Sequence, residues 1–193
     1  MGLIVFRPGT GKGTFNKFVL IDDSGNVVMD TLKATRVPGS LNAKGDGILP
    51  VVESNIGMLS AAICFDMDFP HLIGQAGKEQ IDLFVAPSNY LIEVRYIHAE
   101  IARMRSIEQG FTLVRPTKDG TTIMTDCTGR IYSSMTLADD RTALLVSEIP
   151  VRRRATLYSM IGDSFGLACG LIFFALIGFA LFRSKTPQSA VQS

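Results

Sequence analysis

Between Asp163 and Arg183 the chain runs through nineteen residues, SFGLACGLIFFALIGFALF, without one charged side chain. At ~1.5 Å of helical rise per residue, such a run matches a hydrocarbon core of ~30 Å. A helix on the surface of a water-soluble domain carries charge on its outer face, and this one has none. The run therefore predicts a transmembrane helix over 164–183, followed by a polar tail over 184–193. Gly166, Ala168, Gly170, Ala175 and Gly178 are small residues of the kind that let helices approach closely in a membrane. A mean hydropathy of +0.26 agrees with a membrane segment. Orientation stays open, because Arg152, Arg153 and Arg154 precede the span while Arg183 and Lys185 follow it. The opening residues, MGLIVFRPG, hold a four-residue apolar patch and not the longer apolar region of a signal peptide.

What precedes the span reads as one α/β domain over 1–151 and a basic juxtamembrane linker over 152–163. KFVLID, a turn at Asp23–Asn26 and VVMDTLKATRV predict a hairpin over 17–37, and PGSLNAKGDG (38–47) is a loop by composition. ILPVV and GMLSAAICF are strands, the second apolar enough to be buried on both faces. A short helix is expected over 70–80 with Pro70 in its first turn, then a buried strand, IDLFVAPS. Over 94–109 the residues Ile97, Ile101, Met104 and Ile107 recur at helical spacing and predict an apolar face, and Gly110 marks the helix end. FTLVRPT, TTIMTD and RIYSSM follow as short strands, and TALLVSEIPV (142–151) is expected to be the last one.

Charge and cysteine content exclude several classes. A net charge of +1 gives no electrostatic basis for nucleic-acid binding. The three cysteines, Cys64, Cys127 and Cys169, are odd in number and scattered, which argues against a disulfide framework, and no His/Cys spacing suits zinc. PGTGKGT (8–14) imitates a phosphate loop but fails its pattern. Gly13 follows Lys12 where Ser or Thr is required, the first glycine is absent, and no strand is expected before it. It reads as a glycine-rich loop.

AAICFDMDFP (61–70) carries the clearest chemical signal. Cys64 ends an apolar strand just before a helix start, a junction where a thiol can be displayed and lowered in pKa by a nearby cation. A buried, inert core cysteine fits the same residues. His98, beside Glu100 and Arg103, reads as a surface or satisfied core histidine, and His71 as a helix-start residue.

ICFDMDFP resembles the nucleophile motif of the carbon–nitrogen hydrolase (nitrilase) superfamily. LKATRVPG (32–39) resembles its lysine motif, and DLFVAPSNY, HAEIARMRSIEQGFTLVRPTKDG and DCTGRI resemble the segments beyond the nucleophile. TLYSMIGDSFGL, leading into the apolar run, is similar to the C-terminal end of the apolipoprotein N-acyltransferase branch, the membrane branch of that superfamily. The resemblance implies a partial α-β-β-α sandwich with a C-terminal transmembrane helix, and acyl transfer to an amine through a thioester on Cys64. Lys33 would stabilise the oxyanion, with Asp66 and Glu108 in support. It implies no cofactor and no metal. Its expected partners are a phospholipid acyl donor, a lipoprotein amine acceptor and the membrane, with the catalytic domain on the extracytoplasmic side. Nitrilase-type domains often pair, so a homo-oligomer is a further expectation.

The departures are specific. The family's general-base glutamate lies upstream of the lysine motif, and none of the 32 residues before Lys33 is glutamate. The loop that carries a second family glutamate holds only Asp46, and of the aromatic residues after SN only Tyr90 is kept. These departures lead us to expect an N-terminally incomplete member of the superfamily. Two rival readings stand beside the transferase: a non-catalytic relative that acts by interaction, and an anchored amidase.

Overall fold

A computed structural model describes residues 2–8, 14–37, 39, 43–89, 92–136 and 143–184. The glycine-rich segment 9–13, Tyr90 and the tail beyond 184 lie outside them. The chain forms two compact units, Met1–Met160 and Ile161–Ser193.

In the first unit, β1 (Gly2–Pro8), β2 (Thr14–Ile21) and β3 (Val27–Leu32) form an antiparallel sheet in that order. A six-stranded sheet is built from β4 (Val51–Ser54), β5 (Gly57–Ala61), β6 (Leu83–Val85), β8 (Thr112–Arg115), β10 (Thr121–Thr125) and β11 (Ile131–Thr136). Its order is β11-β10-β8-β6-β5-β4, with β5, β6 and β8 parallel at the centre. A two-stranded parallel pair, β7 (Ser88–Asn89) with β9 (Thr117–Lys118), continues beyond the ends of β6 and β8. Helices α1 (Pro70–Lys78) and α2 (Arg95–Gln109) make the connections that parallel strands require.

The alternation of side chains along β5 and its continuation shows how the layers are held. Ala62 joins Leu72, Ile73 and Ala76 of α1, Ala99 and Ala102 of α2, and Phe84, Phe111 and Leu113 in one core. Ala61 and Ile63 point the other way, onto Phe18 and Met29 of the three-stranded sheet. The strand is thus covered on both sides, as its apolar composition predicted, by helices on one face and a second sheet on the other.

Three expectations need correction. A strand, β1, does precede the glycine-rich segment, and Pro8 pairs with Thr14 across it. The segment therefore joins two antiparallel strands and not a strand to a helix. The expected strand over 142–151 is not formed among its described residues, 143–151. Leu144 and Val146 are 85% and 80% exposed there, so their apolar character finds no sheet to cover it. The apolar face of α2 is also only partly covered: Ile97 and Met104 are exposed and Ile101 and Ile107 half-buried, while Ala99, Ala102, Ser106 and Gln109 face inward. Three of these four inward residues are small, which lets the helix lie close against its neighbours. Gly110 ends the helix as expected, in the left-handed conformation at φ +74°.

The second unit contains α4 (Ser164–Ser184), preceded by the short α3 (Leu157–Ile161) that crosses the division. By length and composition, α4 is the one helix among the described residues able to cross a membrane, with a mean hydropathy of 2.5 over Ser164–Arg183.

Candidate active site

Cys64 sits where β5 has ended and a 3-10 helix, Cys64–Asp68, begins. Its backbone is fixed by N–H donation to the Pro87 carbonyl at 2.9 Å, which continues the alignment of β5 with β6. It then turns through φ +55°, a left-handed conformation that costs a non-glycine residue roughly 1–2 kcal/mol. Such strain persists only where surrounding structure enforces it, and it collects at functional sites. The thiol is half-buried and reaches the Asn89 carbonyl at 3.4 Å. Phe65 and Phe69 pack edge to face at 5.1 Å across the turn.

Lys33 follows the end of β3 directly. The expected strand continuing to residue 37 stops at Leu32, and beyond Lys33 the N–H groups turn to a side chain. Ala34 and Thr35 donate their backbone N–H groups to the Asp66 carboxylate at 3.2 and 2.8 Å, and the Thr35 hydroxyl adds a third bond at 2.5 Å. The same carboxylate accepts the Ile63 N–H at 3.0 Å. Asp66 is 1% exposed, so one buried carboxylate ties the residues after Lys33 to the residue before Cys64. Lys33 is itself 4% exposed and donates from Nζ to the Ile63 carbonyl at 2.5 Å. Its backbone is pinned by N–H donation to Asn16 and by acceptance from Gly45, both at 2.8 Å. Burial pulls the Lys33 ammonium below the usual lysine range, and the nearby Asp66, Cys64 and Asp68 oppose that pull.

Glu108 is brought to the same neighbourhood only indirectly. It pairs closely with Arg105, whose Nε donates at 3.2 Å to the Met67 carbonyl inside the Cys64–Asp68 turn. On its other side Glu108 faces an open groove with Tyr96, Ile97, Glu100, Ile101 and Met104. Asp68 bonds His98 Nδ1 at 3.0 Å, which joins α2 to the turn a second time. Sequence reading placed His98 on a surface or in a core and did not find this pairing, since residues 30 apart carry no local signal of contact. His71 is exposed at the start of α1, its ring edge to face with Phe69 at 6.0 Å. Cys127 differs from Cys64 in setting: burial, with Asp126 beside it, pushes its thiol up. Among the described residues no cluster of three His, Cys, Asp or Glu side chains is placed to hold a metal ion.

A cysteine on a strained turn at the C-terminal end of a parallel strand and a buried lysine nearby sit within a helix–sheet–sheet layering. The carbon–nitrogen hydrolase family model matches residues 1–162, and the chain belongs to that family. Among solved structures, an amidase from Nesterenkonia sp. superposes with a TM-score of 0.64 at 18% identity, over 71% of this chain and 57% of that one. A nitrilase-superfamily member from Saccharomyces cerevisiae gives a TM-score of 0.59 at 17% identity, over 64% of this chain and 50% of that one. They support the mixed α/β nitrilase-type fold.

Within the family, the sequence is similar to apolipoprotein N-acyltransferases. It is 32% identical over 131 residues to the protein of that name from Vibrio vulnificus, covering 66% of this chain and 26% of that one. It is 25% identical over 180 residues to the one from Haemophilus influenzae, covering 89% of this chain and 34% of that one. The chain thus spans about a quarter to a third of the length of these two relatives.

Proposed function

We propose that this chain is the membrane-anchored, thioester-forming part of an acyltransferase of the apolipoprotein N-acyltransferase type. The domain over 1–151 carries the chemistry, 152–163 links it to the lipid surface, and 164–183 spans the bilayer as a single pass, with the domain on the extracytoplasmic side. The observation that supports this most is a buried Lys33 that donates to the carbonyl of Ile63, the residue before Cys64 on its strained turn, with Asp66 tying the two segments together.

In this reading the Cys64 sulfur attacks the ester carbonyl of a phospholipid. Lys33 lies beside the thiol and supplies a positive charge for the tetrahedral oxyanion, the kind of stabilisation that water-poor sites make strong. The C–O bond breaks, the lysophospholipid leaves with the thiol's proton, and the acyl group remains as a thioester. An amine, in this reading the amino terminus of a lipoprotein, then attacks the thioester. An amide forms and the thiol is regenerated. Arg105, Glu108 and Asp66 touch none of the reacting atoms in this scheme. They position the turn.

The test is the intact mass of the purified chain after incubation with phospholipid. A hydroxylamine-labile acyl adduct that disappears in Cys64→Ala and weakens in Lys33→Ala supports the reading. Absence of the adduct from folded protein overturns it. One observation favours a second reading, binding without turnover. The Asp66 carboxylate already accepts four hydrogen bonds and Asp68 is engaged with His98, so both carboxylates of the Cys64 turn have other work than taking a thiol proton.

A further inference from the structure

The segment leading to α3 is fastened by its backbone in a way that turns its charges outward. The Thr112 hydroxyl lies 2.9 Å from the Pro150 carbonyl and 3.2 Å from that of Arg152, and the Arg152 N–H donates to the same hydroxyl oxygen at 3.2 Å. The Arg154 N–H donates to the Gly110 carbonyl at 2.8 Å, and the Thr156 hydroxyl donates to the Glu108 carbonyl. With its main chain held against the end of α2 and the start of β8, the strap presents Arg152, Arg153 and Arg154 to solvent, all three exposed. The described ion pairs are formed elsewhere. Immediately beyond, α3 presents Leu157 and Met160, 68% and 71% exposed. No acidic residue occurs between Glu148 and Asp163.

Three outward arginines followed by two outward apolar side chains match one partner chemistry: an anionic headgroup layer with acyl chains beneath it. We propose that Arg152–Arg154, Leu157 and Met160 form a docking surface for anionic phospholipid, which seats the domain on the membrane independently of the span. The proposal rests on the reading that α4 inserts only for where the lipid lies. Met160 is four residues before Ser164, so at ~3.5 Å per residue no more than ~14 Å of chain separates it from the helix start. The arginines add attraction to anionic lipid that acts over a Debye length, ~8 Å at physiological salt.

The sequence contains no tryptophan, so one introduced indole reports without background. The full chain carrying Leu157→Trp is reconstituted in phosphatidylcholine vesicles, with and without phosphatidylglycerol, using lipids brominated near the headgroup. The expected result is a blue shift and quenching in the phosphatidylglycerol vesicles. Both should be lost in high salt and in the Arg152→Gln/Arg153→Gln/Arg154→Gln background. Emission as in water in both vesicle types, or quenching that ignores the arginine substitutions, overturns the proposal and leaves an acidic protein surface as the alternative partner. Phe174→Trp in a parallel sample reports α4 separately. If that residue is not quenched by chain-brominated lipid, the span reading fails. The Leu157→Trp protein is then mixed with preformed vesicles, where arginine-dependent quenching still supports docking and its absence overturns it.

Discussion

Thr35 gives both its backbone N–H and its hydroxyl to the carboxylate of Asp66, at 2.8 and 2.5 Å, across 31 positions of sequence. Through the same side chain Asp66 also holds the N–H of Ile63, next to Cys64. One carboxylate therefore ties the lysine segment to the cysteine turn.

Replacing Asp66 with Asn puts an amide donor against groups that all donate. Hydrogen bonds to a buried charge contribute roughly 1.5–3 kcal/mol each, and an unsatisfied buried donor adds a penalty of similar size. Asp66→Asn is expected to destabilise the domain by about 3 kcal/mol or more. Thr35→Val, which loses only the hydroxyl bond, is expected to cost less than half of that. Urea unfolding in detergent, followed by circular dichroism, compares the two. Equal costs would mean that the clamp is not where the stability lies.

The Lys33 ammonium carries a pH signature of definite sign. Its folded pKa lies below the ordinary value of 10.5 because burial disfavours the charge. Between the folded pKa and 10.5 the unfolded chain binds more protons than the folded one, so stability rises with pH across that window. The unfavourable burial of the charge is fully present below the folded pKa and fades as the lysine deprotonates. Relative to Lys33→Met, the wild-type chain should gain melting temperature as pH is raised from neutrality toward 10.5. A difference that stays flat or falls would contradict the burial seen at this position.

The two faces of α2 should respond in opposite ways to substitution. Ala102 is 0% exposed against the sheet, so Ala102→Leu forces overpacking, which costs roughly 1–3 kcal/mol. Met104 is 49% exposed, and Met104→Ala should fall within about 0.5 kcal/mol of wild type. Thermal melts of both variants decide which face the domain uses.

Gly110 is required twice over. Its φ of +74° disfavours any Cβ, and an added Cβ would lie 1.8 Å from the Arg154 carbonyl oxygen. Gly110→Ala should therefore release the strap as well as strain the helix end, with a loss of at least about 2 kcal/mol. Limited proteolysis after Arg152–Arg154 measures the release: cleavage there should accelerate in the variant while the rest of the domain stays resistant.

The helices and most strands follow from local rules that the residues obey. Pro70 opens α1, Gly110 closes α2, and the turns at Asp23–Asn26 and Lys118–Gly120 separate β-branched runs. The charge-free run over 164–182 specifies a helix by itself, since its length and composition need no partner to be read. The lysine and cysteine motifs were equally visible, because each is a contiguous string. Periodicity misled where it was asked about tertiary facts. Ile97 and Met104 mark an apolar face on α2, but hydropathy does not say which face a neighbour covers, and the alanines face inward. TALLVSEIPV has strand-forming composition, yet a strand needs an edge to pair with, and its described residues instead lead into a strap held by Thr112 and Gly110. Local sequence thus determined most of the elements, the apolar helix and the family. Only the tertiary structure decided that Asp66 bridges Ala34 and Thr35, just after Lys33, to Ile63, just before Cys64, and that Arg105 and His98 hold the turn, because each is a contact between segments that local order leaves independent.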